Sequence, residues 1–163
     1  MSGYLATLRV LVAHDVEFIV VGGVAAVLQG APIVTFDVDI LHRRSSENVA
    51  RLLSALRELD ASYRNDPRRL SPHESHLMGS GHQLLRTRLG DLDVLGTIDD
   101  DVTYDDVKDQ TIEVDLGDAR VRVLELSRLI QAKQSAGRPK DLAVLPVLRA
   151  TLAEVEKRRP PAR

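Results

Sequence analysis

The sequence predicts a single mixed α+β domain, because short apolar runs typical of strands alternate with amphipathic runs typical of helices. A β-hairpin is predicted over TIEVDLGDARVRVLEL, residues 111–126, where two alternating segments flank a turn at Gly117–Asp118. Hairpin strands pair antiparallel, so a purely parallel, doubly wound sheet is not expected. The 163 residues are enough to enclose one hydrophobic core. We therefore expect one domain over residues 1–158, with a C-terminal helical part at 125–158 and a frayed tail at 159–163.

Local signals mark the ends of the predicted helices and strands. Gly22–Gly23 interrupts an apolar run, Ser45 and Ser46 precede an amphipathic run as helix caps do, and Pro139 follows Gly137 as the first residue of a helix. Residues 61–81 are polar and rich in turn residues, so we predict mainly loop there. In chain order the predicted elements are a helix to about Ala13, a strand over 17–21, a helix over 24–29, a strand over 34–41, a helix over 46–60, strands over 82–88 and 91–96, a short helix within 99–109, the hairpin, and helices over 127–136 and 139–157.

The composition limits the class of protein. A formal net charge of −2 and an aromatic content of 3% count against a nucleic-acid-binding module that relies on base stacking or a broad basic surface. There is no cysteine, which excludes disulfides and thiolate metal ligands. The amino-terminal segment lacks the pattern of a signal peptide, and no apolar run approaches the roughly 20 residues that cross a bilayer. We therefore expect a cytoplasmic protein with no membrane contact.

Two predicted strands each carry a pair of aspartates with one residue between them. Side chains of a strand alternate between its faces, so Asp37 and Asp39 share one face, and Asp91 and Asp93 share a face of the other strand. If the two strands are neighbours, three or four carboxylates meet, and they repel one another unless positive charge lies between them. Hard oxygen ligands suit Mg²⁺ or Mn²⁺, and two such ions are a device for phosphoryl transfer.

The two glycines ahead of the acidic strand fit an anion. Gly22–Gly23 lies between a strand and a helix, where backbone N–H groups favour a phosphate group, and the absent side chains let a polyphosphate approach. A tight turn without a ligand is the alternative. The sequence GGVAAV does not match the G-x-G-x-x-G fingerprint of dinucleotide-binding proteins.

Three segments together resemble one protein superfamily. VVGGVAAVLQGAPIVTFDVDI resembles the signature of the DNA polymerase beta-like nucleotidyltransferases, and in particular the minimal bacterial type found among abortive-infection and toxin–antitoxin nucleotidyltransferases. LRTRLGDLDVLG is similar to the family strand that carries the third carboxylate, here Asp93. LIQAKQSAGRPKDLAVLPVL is similar to the C-terminal stretch of the family, with matching residues at Lys133, Arg138, Lys140 and Asp141.

The resemblance implies a fold, a reaction and a site. The fold would be a mixed, mostly antiparallel sheet flanked by helices, with a C-terminal helical end. The reaction would transfer a nucleoside monophosphate from an NTP to an acceptor and release pyrophosphate. The acceptor would be a tRNA, a protein hydroxyl or a small molecule, and an antitoxin protein would be a partner if the chain is a toxin. The implied catalytic and metal-binding residues are Asp37, Asp39 and Asp93, with Mg²⁺ or Mn²⁺ as cofactor, and the implied nucleotide-binding residues are Gly22, Gly23, Thr35, Lys133 and Lys140.

The sequence departs from the family pattern at two positions. Ile33 stands where many relatives have an arginine two residues before the motif threonine, and Gln29 stands where many have a histidine. Loss of the arginine weakens the expected contact with the nucleotide or acceptor. The alternative function is therefore a catalytically inactive domain of the same fold that binds a partner protein or a nucleotide.

Several individual residues keep a second interpretation. Asp91 is expected to be a solvated strand residue more than a ligand, and Lys133 can extend over the core instead of reaching a phosphate. Lys140 with Asp141 is either an anion contact or a structural ion pair. The segment PHESHLMGSGH resembles a zinc motif only loosely, because H-E-S-H does not place two histidines one helical turn apart. His82 is either a polar contact near the acceptor site or part of a surface loop.

Overall fold

The computed structural model describes residues 3–160, so the end of the predicted frayed tail, residues 161–163, lies outside the described part. Seven strands and seven α-helices follow one another along this part of the chain, with one 3₁₀ turn at Lys108–Gln110. The helices are α1 (Gly3–Ala13), α2 (Gly22–Leu28), α3 (Ser46–Glu58), α4 (Glu74–Met78), α5 (Tyr104–Val107), α6 (Leu126–Ala136) and α7 (Pro139–Arg158). The strands are β1 (Phe18–Val21), β2 (Val38–His42), β3 (Ser62–Tyr63), β4 (His82–Thr87), β5 (Gly90–Leu95), β6 (Thr111–Asp115) and β7 (Arg120–Leu124).

All seven strands form one mixed sheet in the order β3-β4-β5-β2-β1-β7-β6. The pairs β2–β5 and β1–β7 are parallel, whereas the other four neighbouring pairs are antiparallel. The sequence-based prediction of a mixed, mostly antiparallel sheet is therefore confirmed. The predicted hairpin is the β6–β7 pair, which joins Asp115 to Arg120 across the turn.

Helices cover both faces of this sheet. The side chain of Asp39 faces α2, because it lies against Gly22, whereas His42 on the same strand reaches the carbonyl oxygen of Leu77 in α4. Residues 39 and 42 are three apart and so point to opposite faces. On the His42 face α3 contacts both α1 and α4, and in the second group of helices α6 contacts both α2 and α7. The four residues of β1 are all buried between these layers, which explains their continuous apolar run.

The second strand is shorter than predicted. It begins at Val38 and not at Val34, and the side chains of Val34 and Phe36 are 81% and 87% exposed. Strand β1 ends at Val21, which pairs with Asp39, and the chain then turns into α2. Residues 34–37 consequently have no partner on the β1 side, and the apolar alternation there does not produce a ladder.

The segment predicted as mainly loop contains two short elements. Strand β3 adds an edge to the sheet, and α4 follows at Glu74–Met78. The backbone N–H of His73 donates to Nδ1 of His76 at 3.0 Å, and the two rings stack at a centroid distance of 5.6 Å. The histidine-rich motif therefore caps a helix, and no group of His, Asp or Glu side chains suited to a metal forms anywhere in residues 3–160 as their side chains stand.

The remaining predictions of helices agree closely with the structure. The acidic segment 99–109 contains α5, which Thr103 caps by accepting from the backbone N–H of Asp106. Helix α6 begins one residue before its predicted start, and α7 runs one residue past its predicted end. Within residues 3–160, no helix combines the length and the apolar character that a membrane crossing requires.

Candidate functional site

A cleft of about 620 Å³ opens where β1, β2 and β5 meet α2, α6 and α7. It lies on the Asp39 face of the sheet, at the end of β1. Seven of the eight predicted site residues line it: Gly22, Gly23, Asp37, Asp39, Asp93, Lys133 and Lys140. The eighth, Thr35, lies behind Gly23 and is half-buried. The tertiary structure thus brings together residues as far apart in the sequence as Gly22 and Lys140.

Asp39 and Asp93 are directly opposite each other on the parallel strands β2 and β5. The pKa of Asp39 is raised to about 7, first by burial and then by the negative charge of Asp93, a hydrogen bond with the Asp93 carboxyl and the charge of Asp37, whereas Lys133 lowers it. A carboxyl group whose pKa rises in this way lacks sufficient positive charge around it. This pair of carboxyl groups is where negative charge is concentrated in the cleft. Hard oxygen donors of this kind suit a divalent cation.

Asp37 stands apart from this pair. It lies one residue before β2, half-buried on the wall of the cleft. In residues 3–160 the carboxyl groups do not converge as a set of three around one point. The donor set therefore consists of Asp39 and Asp93 in contact, with Asp37 separate from them on the cleft wall.

Arg64 is the positive group that the acidic residues face. Its Nη2 atom lies 2.6 Å from Oδ1 of Asp93, and its Nη1 atom lies 3.1 Å from Oδ2 of Asp91. The Arg64 side chain is only 14% exposed. Burial lowers the pKa of Arg64, but the hydrogen bonds and charges of Asp93 and Asp91 outweigh it and hold the pKa above its usual value. The expectation that Asp91 is a solvated residue is thus wrong, since it is an ion-pair partner of Arg64 and, at 3.7 Å, of Arg86.

At the diglycine turn, neighbouring side chains leave no space for a Cβ atom. Gly22 has a φ of +67°, and a Cβ atom there would overlap the carboxylate of Asp39. A Cβ atom on Gly23 would lie 2.6 Å from Oγ1 of Thr35, which is closer than real Cβ contacts allow. Both positions therefore require glycine for packing alone, and the backbone of the turn remains open to the cleft.

The C-terminal cations divide into a structural group and a free one. Asp141 is fully buried and accepts from Nζ of Lys133 at 3.1 Å and from Nε of Arg138 at 2.6 Å. Burial alone would raise the pKa of Asp141, but these hydrogen bonds outweigh it and lower the pKa. Of the two interpretations of Lys140, the ion pair with Asp141 does not form, because Asp141 pairs with Lys133 and Arg138; Lys140 lines the cleft as an exposed cation.

Gln29 and Ile33 occupy the two positions that depart from the family pattern. The side-chain amide of Gln29 donates to the carbonyls of Ala25 and Leu124 at 2.9 Å and accepts from the backbone N–H of Leu126 at 3.2 Å. It fastens α2 to the junction of β7 and α6. Ile33 forms part of the cleft wall and supplies no charge there.

His82 is the first residue of β4 and lines the same cleft. Its side chain is exposed, and its Nε2 atom lies 3.1 Å from the carbonyl oxygen of Thr97. Of its two interpretations, the structure favours the cleft-lining one over the surface loop.

No motif in the sequence singles out Arg64. It lies in the segment predicted as loop, and its spacing from the acidic motifs has no fixed value that would identify it. The only available signal was chemical: a buried acidic cluster needs a nearby cation, and any of the arginines within or beside residues 61–90 satisfied that requirement equally.

Comparison with known proteins identifies the fold. A crystal structure of a "putative nucleotidyltransferase" (TM1012) from Thermotoga maritima superposes with a TM-score of 0.58, at 20% sequence identity and over 93% of each chain. No model of a protein family matches this chain, and no curated protein is significantly similar to it. At this level of identity the likeness concerns the architecture, and the protein described here has a nucleotidyltransferase fold.

Proposed function

We propose that this chain is a metal-dependent nucleotidyltransferase, which moves a nucleoside monophosphate from an NTP to an acceptor hydroxyl and releases pyrophosphate. One observation carries the proposal: Asp39 and Asp93 face each other in a cleft that also contains an open diglycine turn and two lysines. The fold shared with the Thermotoga maritima protein supports the same general reaction.

The proposed roles follow from the positions of the side chains. Asp37, Asp39 and Asp93 would hold Mg²⁺ or Mn²⁺, which when bound would stabilise charge on the transferred phosphoryl group. The turn at Gly22–Gly23 would face the phosphate groups, with Thr35 supporting Gly23 from behind. Lys140 is the freer of the two cations, so it would contact phosphate oxygens, whereas Lys133 would do so while remaining paired with Asp141.

In the proposed reaction the acceptor oxygen forms a bond to the α-phosphorus, and the bond from that phosphorus to the bridging oxygen of the β-phosphate breaks. The proton of the acceptor hydroxyl passes to a carboxylate oxygen of Asp93 or to water. Pyrophosphate leaves with the bonding electron pair. In this scheme Lys140 and the diglycine turn orient the leaving group, because both line the cleft.

Thermal unfolding tests the binding part of the proposal. We expect Mn²⁺ together with at least one of the four NTPs to raise the Tm of the protein, and Asp39→Ala to remove this increase. Glu154→Gln, on the far part of α7, is the matched control and should leave the increase unchanged. An equal increase in the Asp39→Ala variant would contradict the proposed site.

Labelling tests the chemistry and the acceptor. Protein is incubated with each α-labelled NTP and cell extract, and the products are separated on RNA gels, on protein gels and by thin-layer chromatography. A labelled tRNA, protein or small molecule identifies the acceptor class, and Asp93→Asn should abolish the label. Absence of label with all four nucleotides and both metals would support the inactive alternative, which the uncharged Ile33 in the cleft wall favours.

The resemblance to toxin–antitoxin nucleotidyltransferases extends the proposal to the biological role. Induced expression of a toxin of this kind should arrest growth, and the arrest should disappear in the Asp93→Asn variant. A partner encoded beside the gene that relieves the arrest would be the antitoxin. Normal growth under full induction of a folded, label-transferring protein would contradict the toxin role while leaving the enzymatic proposal intact.

A further inference from the structure

We propose that Arg64 is a positioning residue for the metal site: it fixes the orientation of the Asp93 carboxylate so that its second oxygen faces Asp39. This inference rests on the proposed function, because it assigns Arg64 a task in the same site. It adds a residue that neither the family resemblance nor the acidic motifs contain.

Both the side chain and the backbone of Arg64 form hydrogen bonds with the pair of strands that contains Asp93. The guanidinium contacts Oδ1 of Asp93 at 2.6 Å, and the backbone N–H of Arg64 donates to the carbonyl of Leu84 at 3.0 Å. Leu84 is the residue of β4 that pairs with Asp93 across the sheet. The two residues that Arg64 contacts in this way, Leu84 and Asp93, are therefore partners in the β4–β5 ladder, so the backbone of Arg64 is fixed beside the carboxylate that its side chain binds.

The second arm of the guanidinium, Nη1, makes an ion pair that opposes rotation, although it forms no hydrogen bond. Nη1 lies 3.1 Å from Oδ2 of Asp91, which shares the same face of β5. With one arm on each carboxylate, the planar fork cannot turn without losing a contact. Oδ1 of Asp93 is thereby occupied, and the carboxyl still lies within hydrogen-bonding range of Asp39. The oxygen left for a cation is Oδ2 of Asp93.

A positioning role and a simple countercharge role predict opposite results. If Arg64 only neutralised the acidic residues, its removal would make the cleft more negative and would tighten cation binding. If Arg64 holds Asp93 in its binding orientation, its removal weakens cation binding even though the cleft becomes more negative. Loss of a group that orients a metal ligand typically weakens metal affinity by about 10-fold to 100-fold.

Arg86 provides a matched control on the same face of the sheet. Its Nε atom lies 3.7 Å from Oδ1 of Asp91, its side chain is 66% exposed, and its ion pair is with Asp91. Replacing Arg86 removes one positive charge from the same acidic group, at a more exposed position, without releasing Asp93. Loss of charge tightens cation binding in both variants, so weaker binding that occurs only in the Arg64 variant reports orientation.

The experiment measures Mn²⁺ binding directly, by the electron paramagnetic resonance signal of free Mn²⁺ during titration of the full chain without nucleotide. The proteins are the wild type, Arg64→Gln, Arg64→Lys, Arg86→Gln and Asp39→Ala. We expect Arg64→Gln to bind Mn²⁺ about 10-fold or more weakly, Arg64→Lys to recover part of the loss, and Arg86→Gln to match the wild type or bind slightly more tightly. The Tm of each protein in a chelator verifies folding.

The outcomes separate the two proposals. Wild-type or tighter affinity in a folded Arg64→Gln protein overturns the positioning role and leaves the metal site intact. A wild-type protein that binds no Mn²⁺, or binds it equally after Asp39→Ala, overturns the proposed function and the positioning role with it. If Arg64→Gln does not fold, the comparison uses Arg64→Lys against Arg86→Lys, and equal affinities of those two variants overturn the positioning role.

Discussion

At the scale of single residues, Asp39 and its immediate neighbours control the site. Its carboxyl group is packed against Gly22 on one side and faces Asp93 on the other. Arg64, which pairs with Asp93, and Lys133 offset only part of the resulting charge repulsion, so the pKa of Asp39 stays raised. This arrangement makes two predictions about stability.

The first prediction concerns the pH dependence of folding without metal. The pKa of Asp39 is raised from 3.8 to about 7, so the folded state binds a proton that the unfolded state has already released in this range. The contribution of Asp39 to the free energy of unfolding therefore falls as pH rises from about 4 to about 7, by at most about 1.4 kcal/mol per pH unit. Urea unfolding across this range should show the decline in the wild type and not in Asp39→Asn. A constant difference between the two proteins would contradict the assigned environment.

The second prediction compares two glycines. Gly22→Ala and Gly30→Ala both introduce a side chain at positive φ, which costs about 1–2 kcal/mol in each case. Only Gly22→Ala also overlaps the Asp39 carboxylate, since no atom lies within 4 Å of a Cβ at Gly30. We expect Gly22→Ala to lose more stability and the Mn²⁺-dependent rise in Tm, and Gly30→Ala to keep that rise. Equal behaviour of the two variants would show that Asp39 does not need the space at Gly22.

At the scale of secondary-structure elements, the C-terminal helices form one side of the cleft because Asp141 joins them. The carboxylate lies in the first turn of α7, where the helix dipole also favours a negative charge, and it accepts from Lys133 in α6. The αL residue Gly137 ends α6, and Pro139 begins α7, which sets the sharp turn between them. The position of Lys133 in the cleft thus depends on a structural ion pair.

Removing that carboxylate should loosen the helix pair. Lys133 and Arg138 are 30% and 60% exposed and regain water, so Asp141→Asn should cost about 1–3 kcal/mol, which is less than the loss for a fully buried pair. Glu154→Gln, which breaks an exposed pair with Lys157, is the control and should cost at most about 0.5 kcal/mol. Urea unfolding at neutral pH measures both. A loss in Asp141→Asn no larger than that in Glu154→Gln would contradict the role of Asp141.

At the scale of the whole molecule, the site lies on the most protected part of the sheet. Strands β5, β2 and β1 are interior strands flanked on both sides, whereas β3 and β6 are the two edges. The carboxylates of β2 and β5 are therefore held by backbone ladders that open only with the global fold. The unpaired segment 34–37, by contrast, carries Phe36 and Asp37 on a stretch without ladder hydrogen bonds.

Hydrogen exchange tests this distribution of stability. Amides of β1, β2 and β5 should exchange slowest, those of β3 and β6 at least about 10-fold faster, and those of residues 34–37 fastest. Mass spectrometry or NMR resolves these segments. Slow exchange in residues 34–37 would contradict the boundary of β2 at Val38 and would restore the longer strand that the sequence predicts.

Sequence patterns predicted most of the elements but only part of the site. The alternation in TIEVD and RVRVL and the cap signals at Ser45 and Pro139 are local, so the hairpin and the helices follow from them directly. The predicted start of β2 at Val34 was wrong, because apolar alternation in the sequence does not indicate whether a partner strand is present. Asp91 was predicted to be solvated, and Arg64 was not predicted to belong to the site. Both errors have one cause: an ion pair between residues 27 apart leaves no periodic signal in the sequence.

The sequence by itself determined the mixed α+β architecture, the glycine turn and the two acidic strands, because hydrophobic periodicity and turn chemistry act between near neighbours in the chain. Only the tertiary structure decided that Asp39 lies opposite Asp93, that Arg64 holds Asp93, and that Lys133 and not Lys140 pairs with Asp141. Those contacts depend on strand order and register, which place residues from distant segments within a few ångströms, and electrostatic interactions at that distance are set by the fold and not by the spacing of residues along the chain.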